Sequence, residues 1–275
     1  MVLESLFSPF IIKRKPWEML AAGALYSVIS FFLAYMVFRS AASMLMVFFI
    51  VMAALPIFFT TIKSEEEIDN VFSNEWAMLK EHTKVVDFLI LFFVGVTATL
   101  ALLYVFLPSE MVDQIFSLQT QTITQINSGA ISTAALKNIL LNNVKVMFFS
   151  FIFSFIFGTG ALFILTWNAS VVAAAIGAFI KNELAIAASS VGLTGVAAYF
   201  SAFSFGFLRY LLHGIPEMLS YWIAGLAGGI ISVAVIKHHL GKEKILFDAT
   251  QLMLIAMGIL IVAGIMEVYL TPLFF

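Results

Sequence analysis

Apolar runs long enough to cross a bilayer recur along this chain, and they limit what it can fold into more than any other feature. The first, Met19 to Phe38, is about 20 residues, the length that matches a hydrocarbon core of roughly 30 Å. The composition agrees: 62% of the residues are hydrophobic and 11% are charged, against about 45–50% and about 25% in soluble domains. The expected fold is an all-α polytopic transmembrane helical bundle of about six or seven spans. A net charge of −2 argues against nucleic-acid binding, which needs a basic face to neutralise phosphates. The absence of cysteine removes disulfides, thiolate chemistry and cysteine-ligated metals.

A cleavable signal has a shorter apolar region, about 7–15 residues, so the first run is expected to be a retained anchor. Lys13, Arg14 and Lys15 precede it and place the N-terminus in the cytoplasm by the positive-inside rule. Ahead of them Leu3, Leu6, Phe7, Phe10 and Ile11 form a helical stripe, so residues 1–16 read as an amphipathic cytoplasmic segment on the inner leaflet. Arg39 and Ser40 barely separate the first run from a second, Ala41 to Ile62, making 17–62 a transmembrane hairpin whose second arm Pro56 is expected to kink. Residues 63–84 are charged. Ser64 with Glu67 reads as a capping box, and Ile68, Val71, Phe72, Trp76 and Leu79 recur at helical spacing. The segment Lys63–Lys84 is either a solvated elbow helix or the docking site of a soluble partner.

Residues 85–107 form a third span. Pro108 to Leu136 carries no Lys or Arg but has Glu110, Asp113 and a polar tract from Gln119 to Ser128, so 108–137 reads as an external polar loop. The remainder, 138–275, holds a fourth span from Asn142 and Asn143 through Thr166 to Asn168. Three apolar pieces follow: Val171 to Ile180, Leu184 to Phe203 and Phe205 to Ile236. The basic cluster Lys237, His238, His239, Lys242 and Lys244 precedes a last span from about Thr250 to Leu270. If Asn168 and the basic cluster are both cytoplasmic, an even number of crossings lies between them. Seven crossings are expected, with the C-terminus outside, irregular backbone near 181–183, and a re-entrant or broken helix near 209–217.

That last segment is the candidate site. Arg209, His213 and Glu217 crowd into nine residues with Gly214 and Pro216. A charge in hydrocarbon is costly, and broken backbone survives there only when buried in protein or lining a wet cavity. On a continuous helix His213 and Glu217, four apart, would share a face, but Gly214 and Pro216 oppose continuity. Glu267, within the last apolar run, needs a partner or a proton, and Arg209 and His213 are the available partners. Three readings of this polar intramembrane cluster stay open: a metal site, a proton or ion relay, or hydrogen bonds and ion pairs joining helix ends with Arg209 as the cation. No cofactor or resident metal is expected, since no HExxH, phosphate-binding loop or Gly-x-Ser-x-Gly is present. Asn142, Asn143 and Asn168 are expected at helix ends, capping backbone groups. Gly225, Gly228 and Gly229 permit close helix packing, within the chain or in a homodimer or higher oligomer.

Three ordered blocks carry a resemblance. Asn142-Asn143 leads into a Phe-rich span with Phe157-Gly158-Thr159-Gly160 and ends at Asn168; next comes His213-Gly214-Ile215-Pro216-Glu217 with Ile223 to Gly228; last is Glu267-Val268-Tyr269-Leu270-Thr271-Pro272. Over roughly residues 138 to 275 the chain resembles the stage II sporulation protein M family, and its N-terminal layout is like that of archaeal members. Ser170 departs from the glycine frequent after the Asn block, and Met218-Leu219-Ser220 departs from Leu-Pro-Ala. The resemblance implies an all-helical integral membrane protein. In sporulating bacteria it implies the membrane anchor of a complex with cell-wall-cutting partners.

Two function classes follow. One is a non-enzymatic cell-membrane scaffold, multi-pass with a cytoplasmic N-terminus, that assembles complexes in membrane remodelling or cell-envelope processes. The other is a transporter or channel-like protein with an ion-linked polar site.

Overall fold

The computed structural model describes residues 17–69, 75–129, 135–157, 160–191, 196–236 and 243–274. The amphipathic stripe of residues 1–16, the basic cluster from Lys237 to Lys242 and the side chains of 60–88 lie outside the described residues.

Seven described helices are long and apolar enough to cross a membrane. They are α1 (Trp17–Val37), α2 (Ala42–Asp69), α3 (Glu75–Phe106), α6 (Ala135–Phe157), α7 (Ala161–Val191), α8 (Val196–Ile236) and α9 (Glu243–Ile265). Between α3 and α6 stand two shorter helices, α4 (Ser109–Ile115) and α5 (Ser117–Gly129). A π-helical turn (Met266–Leu270) and a last helical turn, α10 (Thr271–Phe274), follow α9. A single 3-10 turn, Arg39–Ala41, joins α1 to α2, so the hairpin is as tight as the sequence implied.

The expected parsing changes in four places. The fourth span ends at Phe157 rather than at Asn168, because a new helix begins at Ala161, and Gly160 just before it has no room for a side chain against the Phe153 carbonyl. Residues 181–183 are helical, within the 31 residues of α7, and Val171 to Ile180 is the middle of that helix. The backbone is also helical from 209 through 217: α8 is 41 residues long with Pro216 at its midpoint. Proline deletes one helical donor and crowds one carbonyl, which a long membrane helix tolerates when its neighbours re-satisfy the freed groups. Finally, the charged stretch is not a helix of its own. Ser64 and Glu67 lie inside α2, and α3 starts at Glu75; a helix already under way overrides an internal capping signal.

Helix packing rests on small residues. Gly23 of α1 and Gly95 of α3 face each other's backbones: a Cβ on Gly23 would sit 2.5 Å from the Phe92 carbonyl oxygen, and one on Gly95 would meet the Leu20 carbonyl. Phe58 of α2 lies edge-on to Phe92 of α3 (5.3 Å) and stacks on Trp222 of α8 (5.6 Å), tying the two halves together. The most extensive contacts join α8 to α6 and α9, and α1 to α3, with α7 between the two groups.

The polar segment after α3 is helical and partly built into the bundle. Phe116 is fully buried between Phe31 and Tyr104. Gln119, also fully buried, accepts from the Ser43 hydroxyl (2.6 Å) and donates to the Ser170 hydroxyl (3.1 Å). Ser170 in turn donates to the Trp167 carbonyl (2.7 Å). Ser170 thus anchors α5. Gln119→Leu is expected to cost about 1–3 kcal/mol by stranding buried hydroxyls. Limited proteolysis should then cut α5 first, alongside a lowered melting temperature.

Candidate functional site

A continuous α8 places Tyr210, His213, Glu217 and Tyr221 three or four residues apart, on one face. The next turns of that face carry Gly225 and Gly228. A Cβ on Gly225 would come within 2.8 Å of the Ala161 Cβ, and one on Gly228 would strike the Phe151 carbonyl. Gly229 is buried beside them. The small residues therefore pack within the chain, bringing α6 close enough for its polar side chains to reach α8.

Asn143, buried on α6, donates from Nδ2 to Glu217 Oε1. From the end of α9, Glu267 reaches the same group, and the two carboxyls are hydrogen-bonded to each other. Tyr221, buried one turn further along the same face of α8, is within electrostatic reach of both acids. One turn away on α8, His213 Nδ1 is 3.1 Å from Thr271 Oγ1. The Thr271 hydroxyl also lies within hydrogen-bond distance of the Met266 carbonyl (3.1 Å), to which it donates.

The π turn delivers Glu267 and Thr271. Pro272 has no N–H for a carbonyl four residues back, and its ring would crowd that carbonyl. A wider turn over Met266–Leu270 absorbs the conflict, with the Thr271 N–H bonded to the Met266 carbonyl. Helical turns of this kind recur at functional sites. Sequence reasoning missed the turn, though Thr-Pro just after the acid was its signal. Tyr221 was missed too, although it sits at i+4 from Glu217.

The structure thus brings together Asn143, Glu217 and Glu267, and beside them His213 with Thr271. Arg209 is directed elsewhere: its guanidinium lies over the Phe179 ring, 5.2 Å from the centroid, a cation–π contact of a kind that stabilises desolvated cations. The expected helix-end asparagines are corrected. Asn142 and Asn143 are inside α6, and Asn168 is inside α7, where its side chain donates to the Ile164 carbonyl (2.8 Å). An amide satisfied by the previous turn needs no helix end. Asn142, the preceding residue, is exposed on the flank of α6. Gly214 is buried yet has open space where a Cβ would stand. Among the described residues no three His, Cys, Asp or Glu side chains are grouped as a metal ion would require.

A family model described as stage II sporulation protein M matches residues 88–272. It covers every residue of the cluster and begins well before the blocks that carried the resemblance, taking in α4 and α5. No curated protein and no solved structure gives a significant match.

Proposed function

The chain belongs to the stage II sporulation protein M family, and from that premise we propose that it is a non-enzymatic scaffold of the cell membrane that assembles complexes in envelope or remodelling processes. The observation that supports this reading most is the use of the buried polar groups. Asn143, Glu217 and Glu267 spend their hydrogen bonds on one another across three helices. Groups that pair across helices hold an architecture in place, and a rigid multi-pass body is what a scaffold needs. The proposed orientation has the N-terminus in the cytoplasm, with Lys63–Lys84 as the docking site for a soluble partner; the bilayer covers the apolar faces, and the same body self-associates.

A second reading rests on the same acids: ionisable groups deep in a membrane mark ion pathways by default, and the pair would be the proton- or ion-linked site of a transporter. One experiment separates them. The doubly substituted Glu217→Gln, Glu267→Gln protein is purified from native membranes beside the wild type. A scaffold is expected to lose melting temperature and its co-purifying partner at every pH tested. A transporter is expected to purify folded while losing proton-coupled flux in vesicles, which would overturn the scaffold.

A further inference from the structure

The side of α6 turned away from the cluster carries a feature no lipid tail can satisfy. Along this helix Asn143, Met147, Ser150 and Ser154 are buried against the bundle, whereas Lys145 is exposed on the opposite side and Asn142 on the flank next to it. Lys145 is at the centre of the span Leu136–Ile156. At 1.5 Å per residue it is roughly 15 Å from either end of that apolar stretch, farther than a lysine stem extends. Its exposed neighbours Leu141, Phe148 and Phe149 are those of a lipid-facing surface. Only 22% of the α6 window is buried in the bundle, against 71% for α8, so this side is open to a neighbour.

We propose that the exposed side of α6 at Asn142 and Lys145 is a contact surface for a partner's transmembrane helix that carries a carboxyl group at mid-span. Charge complementarity selects that occupant. Such a carboxylate would neutralise the ammonium and accept from the Asn142 amide one turn away, replacing an exposed charge in hydrocarbon with a charge-assisted pair. A second copy docked face to face would set Lys145 against Lys145, and Glu217 and Glu267 are already bonded to each other. The inference rests on the scaffold reading and gives it a membrane-embedded partner in addition to a soluble one.

The test uses full-length protein in phosphatidylcholine vesicles. The probe is a labelled oligo-leucine transmembrane peptide with a single central Asp, compared by energy transfer with an all-leucine peptide. The Asp peptide is expected to associate about tenfold more tightly, the scale of one interhelical polar pair. Lys145→Met should abolish the preference without lowering the melting temperature, and Lys137→Met, near the helix end, should keep it. Equal association of the two peptides, or a preference that survives in Lys145→Met, overturns the proposal. So does energy transfer between two labelled copies that is lost in Lys145→Met, which assigns the surface to self-association. Loss of the preference when phosphatidylglycerol is added assigns Lys145 to anionic lipid and also overturns it. A soluble partner that still co-purifies would leave the scaffold standing when the vesicle result fails.

Discussion

Gly228→Leu is expected to prevent the protein from accumulating as a monodisperse species. The Phe151 carbonyl occupies the place a Cβ would take, with the Phe155 nitrogen 3.0 Å from it. Both obstacles are backbone, so no rotamer change relieves them, and α6 must move away from α8. Overpacking in a close-packed interior costs about 1–3 kcal/mol when side chains can shift, and a rigid backbone takes the cost beyond that range. Separating the helices also pulls Asn143 from Glu217, adding the loss of a buried hydrogen bond. Gly258→Leu is the control. Gly258 is exposed on α9 with nothing within 4 Å of its Cβ position, and replacing glycine in a helix is worth up to about 1 kcal/mol in its favour. Size-exclusion chromatography in detergent and thermal unfolding should separate the two variants clearly. Equal melting temperatures would show that α6 and α8 are not in close contact.

How much of this was legible depends on which physics each residue obeys. Hydrophobic length alone predicted seven spans, because the bilayer imposes one length on every helix. It could not place the break between α6 and α7. Phe157-Gly158-Thr159-Gly160 and Asn168 are both plausible ends, and the choice turns on whether the Asn168 amide finds a partner inside its own helix, as it does at Ile164. Pro216 was read by its local cost, whereas the structure weighs that cost against the packing of an entire 41-residue helix. Glu217 and Glu267 stood out as expensive charges without sequence spacing to join them. Their juxtaposition is a tertiary fact: the π turn before Pro272 carries Glu267 to α8, while Gly225 and Gly228 bring α6, with Asn143, to the same helix. Arg209 was the expected counter-ion because opposite charges attract in any medium, yet a ring at 5.2 Å also stabilises a guanidinium and leaves the acids to satisfy each other.

Glu217→Leu is expected to be the most damaging single change in the cluster. It removes the acceptor of the Asn143 amide and the partner of the Glu267 carboxyl together, leaving two polar side chains to face apolar surroundings. A buried group stranded in this way costs about 1–3 kcal/mol, so the two losses together, about 2–6 kcal/mol, reach the lower end of the roughly 5–15 kcal/mol by which a domain is stable. Asn143→Leu should cost less, because Glu217 keeps Glu267. The double variant Asn143→Leu, Glu217→Leu should be less destabilised than the sum of the singles, since removing both partners leaves no stranded amide at that contact. Interhelical polar pairs in membranes couple by about 0.6 kcal/mol on average and up to about 1.7 kcal/mol, and a contact between an amide and an acid at the centre of the longest helix belongs at the upper end. Unfolding by SDS titration in mixed micelles measures all four proteins of the cycle. A coupling of zero would mean that Asn143 and Glu217 are neighbours without an energetic bond, and the architectural role of the cluster would lose its support.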